Sequence, residues 1–163
     1  MKRYVISVLV ENNSGVLSRV SGLFSRRGYN IDSLTVGVTE KPEISRMTIV
    51  VSGDEYILEQ IEKQLAKLVE VLSIKQCEPS GTVVRELALI KVSAAGSNRL
   101  GIIEIANIFR AHVVDVAVES LVIEATGSED KIASLIRLLE PFGILELVRT
   151  GLTAMERGDT VLE

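Results

Sequence analysis

The chain carries one succession of hydrophobic periodicities twice, and this repeat limits what it can fold into more than any other feature. Apolar runs predict strands at 3–10, 31–38, 45–52 and 69–76, and apolar residues at helical spacing predict helices at 15–27 and 54–68. The order is β-α-β-β-α-β. Cys77-Glu78-Pro79-Ser80-Gly81 then interrupts the pattern with a Pro and a Gly. Beyond it the same order returns, with strands at 84–93, 113–118, 121–126 and 144–150 and helices at 100–109 and 128–139. The expected architecture is α+β, with domains at 1–77 and 84–163 joined by a linker at 78–83.

In such a unit both right-handed crossovers place their helices on one face of an antiparallel sheet. Ile57, Leu58, Ile61, Leu65 and Leu68 form the inward stripe of the second helix, and Asp54 stands where a cap belongs. The other sheet face is left open. The first strand is apolar on both sides, with Tyr4, Ile6, Val8 and Val10 alternating against Val5 and Leu9. Leu34, Val36, Val38, Met47, Ile49 and Val51 add to this, so an exposed apolar face in need of a partner is expected. The strands of the second unit, with Leu87, Leu89, Ile90 and Val92, carry the same expectation.

The loop Glu11-Asn12-Asn13-Ser14-Gly15-Val16-Leu17 joins the first strand to the first helix. A helix opening at Ser14 or Gly15 presents free backbone N–H groups, and a residue without a side chain lets a carboxylate approach them closely. The amides of Asn12 and Asn30 are suited to orienting an ammonium group. Taken alone, the commoner meaning of such a loop is an N-cap at Asn13 or Ser14 and a turn at Gly15.

Three further stretches sharpen this. The run ENNSGVLSRVSGLFSRRGYNIDSLTV (Glu11 to Val36), the run SRMTIVVSGDE with LEQIEKQLAKLVEV after it, and RTG and RG in the tail together resemble the regulatory small subunit of acetohydroxyacid synthase (acetolactate synthase) over nearly the full length. The amino-terminal half of that family is an ACT domain. The resemblance implies two consecutive ferredoxin-like domains, the first an ACT domain that binds effector and dimerises. It implies a non-catalytic subunit of branched-chain amino acid biosynthesis, which activates a catalytic large subunit and confers feedback inhibition by valine. The effector site it implies uses Asn12, Gly15, Val16 and Leu17 of one chain with Asn30 and Ile31 of its neighbour. The amides of Val16 and Leu17 meet the carboxylate, the Asn12 side chain and a carbonyl near Asn30 take the ammonium, and Ile31 lines the side-chain pocket. Leucine or isoleucine are alternative effectors, since one methylene separates them from valine by only about 1–3 kcal/mol. Thiamine diphosphate, Mg and FAD are expected on the catalytic partner and no cofactor on this chain. The repeat of the loop at Ala94 to Arg99 lacks the ENNSGVL pattern, so no effector site is expected there.

Other chemistry finds little footing. His112 is the one histidine and Cys77 the one cysteine, too few for a structural zinc site or an internal disulfide. No serine has a base placed beside it by any motif, and the carboxylates cluster on outer helix faces, so no catalytic residue and no metal ligand is assigned. Gly96 to Gly101 has the spacing of a phosphate loop, but Ile102 stands where Lys is required. RNA-recognition domains share the topology, yet they need aromatic residues on the open face and basic surroundings. This chain is 4% aromatic with a net charge of −4, which argues against nucleic acid and anionic membranes as partners. The remaining alternatives are an ACT-type amino-acid sensor of a different enzyme and, less favoured, an RNA-binding protein. Lys2-Arg3 precedes an apolar run that stops at Glu11-Asn12-Asn13 with no cleavage-like small-residue site after it, no segment approaches the length of a membrane span, and a reducing, cytoplasmic setting fits best.

Overall fold

The computed structural model describes residues 2–163 and divides into two compact units, one formed by Met1–Val83 with Leu152–Glu163, the other by Val84–Gly151. Both are ferredoxin-like β-α-β-β-α-β units with antiparallel sheets. In the first, β1 (Lys2–Glu11), α1 (Val16–Arg27), β2 (Ile31–Val38), β3 (Ile44–Gly53), α2 (Glu55–Leu65) and β4 (Val71–Gln76) form a sheet of order β2-β3-β1-β4. In the second, β5 (Thr82–Ser93), α3 (Asn98–Ile108), β6 (His112–Val116), β7 (Ser120–Gly127), α4 (Glu129–Leu139) and β8 (Ile144–Arg149) give the order β6-β7-β5-β8.

Register decides which residues meet. β1 runs against β3 with Ile6 opposite Ile49 and Val8 opposite Met47, and Leu34 joins this row from β2 opposite Ile49. Because side chains alternate along a strand, Tyr4, Ile6, Val8, Val10, Met47, Ile49 and Val51 all fall on the helix side. There they pack with Val20, Phe24, Leu58, Ile61 and Leu65 into the core. Met47, Ile49 and Val51 were expected on the open face and are instead wholly interior. The open face carries Ser7, Leu9, Arg46 and Thr48, and so is mixed rather than apolar. The second unit follows the same parity. Ile90, Val92, Leu121 and Ile123 are buried with α3 and α4, whereas the other face sets Leu89 opposite Glu124 and Val148, and Lys91 opposite Val122 and Glu146. It too alternates apolar with charged residues instead of presenting the continuous apolar surface expected of it.

Helix ends follow local chemistry. The Asp54 carboxylate accepts from Ile57 N–H at 2.8 Å and caps α2. That helix stops at Leu65, short of the expected Leu68, because Lys67 and Leu68 donate to Gln64 and Leu65 in tight i→i+3 turns. Leu68 still packs against the core, while Val69 is exposed and β4 begins only at Val71.

The largest departure from expectation is the tail. Residues 152–163 were assigned with the second domain, but they cluster with the first unit and contribute a further strand, β9 (Thr153–Glu156), that the periodicity did not reveal. Leu152 N–H donates to Ser33 Oγ at 3.0 Å and Leu152 O accepts from Thr35 Oγ1 at 2.9 Å. Ala154 O accepts from Arg46 Nη2 at 2.8 Å, Glu156 pairs with Lys75 at 2.7 Å, and Arg157 N–H donates to Gly81 O at 2.8 Å. The tail thus lies over the open face of the first sheet, burying Leu152 and Ala154.

Candidate effector site and family

Gly15 precedes α1 with φ 85°, in the left-handed region that favours glycine, and no side chain caps this helix. Neither Asn13 nor Ser14 acts as the cap: Asn13 Nδ2 donates to Glu11 at 2.9 Å instead. The first-turn amides of α1 are therefore unclaimed by any side chain, in contrast to α2 and α4, whose starts are capped by Asp54 and Ser128. A Cβ at Gly15 would meet nothing within 4 Å, so the space before these amides is open. The arrangement suits a carboxylate, which the helix dipole favours at this end.

Asn12 is held more firmly than the sequence indicated. Its Nδ2 donates to Pro42 O at 2.8 Å, its Oδ1 accepts from Ser45 Oγ at 3.1 Å, and its backbone N–H donates to Glu43 O at 2.8 Å. The side chain clamps the loop to the turn before β3 and leaves one lone pair of Oδ1 for a cation. Val16 is buried in the core, so only its amide faces a ligand, whereas Leu17 is half-exposed. Asn30 is exposed and donates to Asp32 Oδ1 at 2.8 Å. Ile31 is half-buried and packs against the core of its own unit.

The register separates these residues into two groups. Ile31 is opposite Val51, which is opposite Tyr4 near the start of β1, while Asn12 follows Glu11 at its end. Seven strand residues lie between, so the two positions are about 26 Å apart. Within one chain Asn12, Gly15, Val16 and Leu17 come together at one end of the sheet, and Asn30 with Ile31 at the other. The clamp residues Pro42 and Ser45 carried no sequence signal, since a hydrogen bond across 33 positions has no periodicity.

Among the described residues, no three His, Cys, Asp or Glu side chains are grouped to hold a metal ion, and no helix is long and apolar enough to cross a membrane.

Residues 6–73 match the family model of the acetohydroxyacid synthase (AHAS) small subunit-like ACT domain, and residues 85–158 match that of the small subunit of acetolactate synthase. The acetolactate synthase small subunit of Mycolicibacterium smegmatis is 56% identical over 155 residues, covering 95% of this chain and 91% of the relative. That of Mycobacterium leprae is 53% identical over 95% of this chain and 92% of its own. The crystal structure of the acetolactate synthase small subunit from Thermotoga maritima superposes with a TM-score of 0.91 at 42% identity, covering 98% of this chain and all of that one. With the fold, the loop and full-length similarity in agreement, the chain belongs to the acetolactate synthase small-subunit family, with an ACT domain as its first unit.

Proposed function

We propose that this chain is a regulatory subunit with no chemistry of its own, which activates a catalytic large subunit of acetolactate synthase in the cytoplasm and makes it sensitive to valine. The observation that carries the effector site is the separation of its two residue groups to opposite ends of one sheet. A single amino acid cannot touch both groups in one chain, so the site is completed by a second copy. β2 is an edge strand, and Asn30 and Val38 flank its two ends. Pairing β2 antiparallel with β2 of a partner brings the Asn30 end of one chain beside the Val38 end of the other. Ser45, which Asn12 contacts, is opposite Val38. The two-fold axis then creates two equivalent sites and satisfies the unpaired strand edge.

In each site the amides of Val16 and Leu17 hold the effector carboxylate, and Asn12 Oδ1 and backbone oxygen near the partner's Asn30 hold the ammonium. The partner's Ile31 flanks the aliphatic side chain. Inhibition requires valine to bind the inhibitory dimer arrangement more tightly than the activating one. Thiamine diphosphate, Mg and FAD belong to the large subunit in this reading. Calorimetric titration of the purified chain with valine, leucine and isoleucine tests it, together with synthase assays on the reconstituted complex. Valine binding near one site per chain, lost in Gly15→Asp while activation persists, is expected. Absence of binding by any of the three amino acids overturns the sensor role.

A further inference from the structure

The open face of the first sheet and the tail across it enclose a cleft of about 1000 Å³, every lining residue of which belongs to the first unit. At its floor lies Arg46. Nη2 of this side chain donates to Ser7 Oγ at 3.1 Å and to Ala154 O at 2.8 Å, and Nε is buried with no protein acceptor. Both partners are neutral, and among the described residues no carboxylate forms an ion pair with it. The neighbouring Lys75 is already neutralised by Glu156. A half-buried guanidinium with neutral partners and an unmet N–H is costly, and a carboxylate meeting Nε and Nη2 side by side relieves both deficits.

The strand beside it carries a matching irregularity. Gly37 is opposite Arg46 in the register and sits inside β2. Its φ lies outside the left-handed region and a Cβ there would meet nothing within 4 Å, so neither backbone geometry nor crowding demands a glycine. Glycine weakens a strand interior and frequently marks a place where something else approaches. Here the missing side chain leaves open space on the sheet face next to the guanidinium. Leu9, Val36, Ile44 and Leu72 line the same cleft.

We propose that this cleft is a second ligand site, distinct from the amino-acid site at Gly15, and that it takes a small aliphatic carboxylate. Arg46 is its ionic anchor and Gly37 its access. One carboxylate oxygen takes the position of the Ala154 carbonyl on Nη2 and the other takes Nε, so binding competes with the strap formed by β9.

The test is calorimetric titration of the full-length chain with isobutyrate, with isobutylamine and isobutanol as controls. Saturable binding of isobutyrate alone is expected, unchanged in Gly15→Asp. Arg46→Gln retains a donor toward Ser7 and Ala154 but lacks the charge, and should weaken binding about tenfold or more. Gly37→Val, acceptable to strand backbone and leaving Arg46 in place, should block binding even if the Arg46 variant folds poorly. Circular dichroism and melting curves establish that each variant is folded. The proposal is overturned if isobutyrate does not saturate, if the controls bind equally, if folded Gly37→Val binds as the parent does, or if Gly15→Asp removes binding.

Discussion

Arg149 grips the buried carboxylate of Glu86 with two donors, Nε to Oε2 at 3.2 Å and Nη2 to Oε1. Glu86 is only 3% exposed. The hydrogen bond to Glu86 raises the Arg149 pKa above the ordinary guanidinium range, against the lowering effect of burial. The RTG segment thereby acquires a structural meaning: Arg149 neutralises Glu86, and Thr150 closes the β5 edge through Leu87 N–H to its Oγ1 at 3.1 Å. Gly151 then turns the chain at φ 86°.

Removing Arg149 leaves a carboxylate buried without a partner. Arg149→Met should therefore destabilise the second unit by about 2–4 kcal/mol, toward the lower end because the arginine itself is one-third exposed. The double variant Glu86→Leu with Arg149→Met should recover most of the loss, as seen by urea denaturation. A raised arginine pKa contributes stability that is complete below its unfolded value and is lost only as pH rises through the folded one. The Arg149 contribution should accordingly be constant across the neutral range.

Asn12 and Asn30 separate stability from binding. Asn12→Ala removes the clamp to Pro42 and Ser45 and should cost about 1 kcal/mol of folding stability in addition to effector affinity. Asn30 is exposed and bonds only locally to Asp32, so Asn30→Ala should change folding by less than about 0.5 kcal/mol while still weakening valine binding. Thermal melts beside calorimetry read the two effects, and equal destabilisation by both variants would remove the clamp from the account.

Ending the chain at Gly151 strips β9 from the first unit. Leu152 and Ala154 lose their burial and Arg46 and Lys75 lose Ala154 O and Glu156, so the first unit should lose about 3 kcal/mol or more. A chain ending at Glu78 suffers the same loss and should be a weaker fold than its intact strand and helix order suggests. Hydrogen exchange of β1 and β3 amides, compared with β6 and β7, which do not pair with β9, should show the destabilisation concentrated in the first unit.

Glu62 provides a pH signature. Burial, followed by repulsion from Glu59, raises its pKa, so the folded state favours the protonated form. Its contribution to stability is complete below the unfolded value and declines as pH rises through the folded one. Glu62→Gln should raise the melting temperature at pH 7, and the gain should fade as the pH falls into the range where Glu62 is protonated in both states.

Periodicity alone determined the element order and the doubled unit, because a strand's alternation and a helix's stripe are local properties of ten or so neighbouring residues. The loop before α1 was equally legible: Gly15 stands where the left-handed turn needs it, and Asp54 caps α2 as its position indicated. What a local pattern cannot carry is which of two apolar faces turns inward. Val51 and Val50 look alike in sequence, and only the pairing of β1 with β3 directs Val51 toward the helices. The destination of the tail lay further out of reach. Thr153 to Glu156 is too short to announce a strand, and its anchors at Thr35 and Arg46 lie more than a hundred positions away. Hydrogen bonds and ion pairs of that span leave no repeat in the sequence. They come into being when the folded sheet sets Ser33, Thr35, Arg46 and Lys75 on one face, at the spacing of an extended strand.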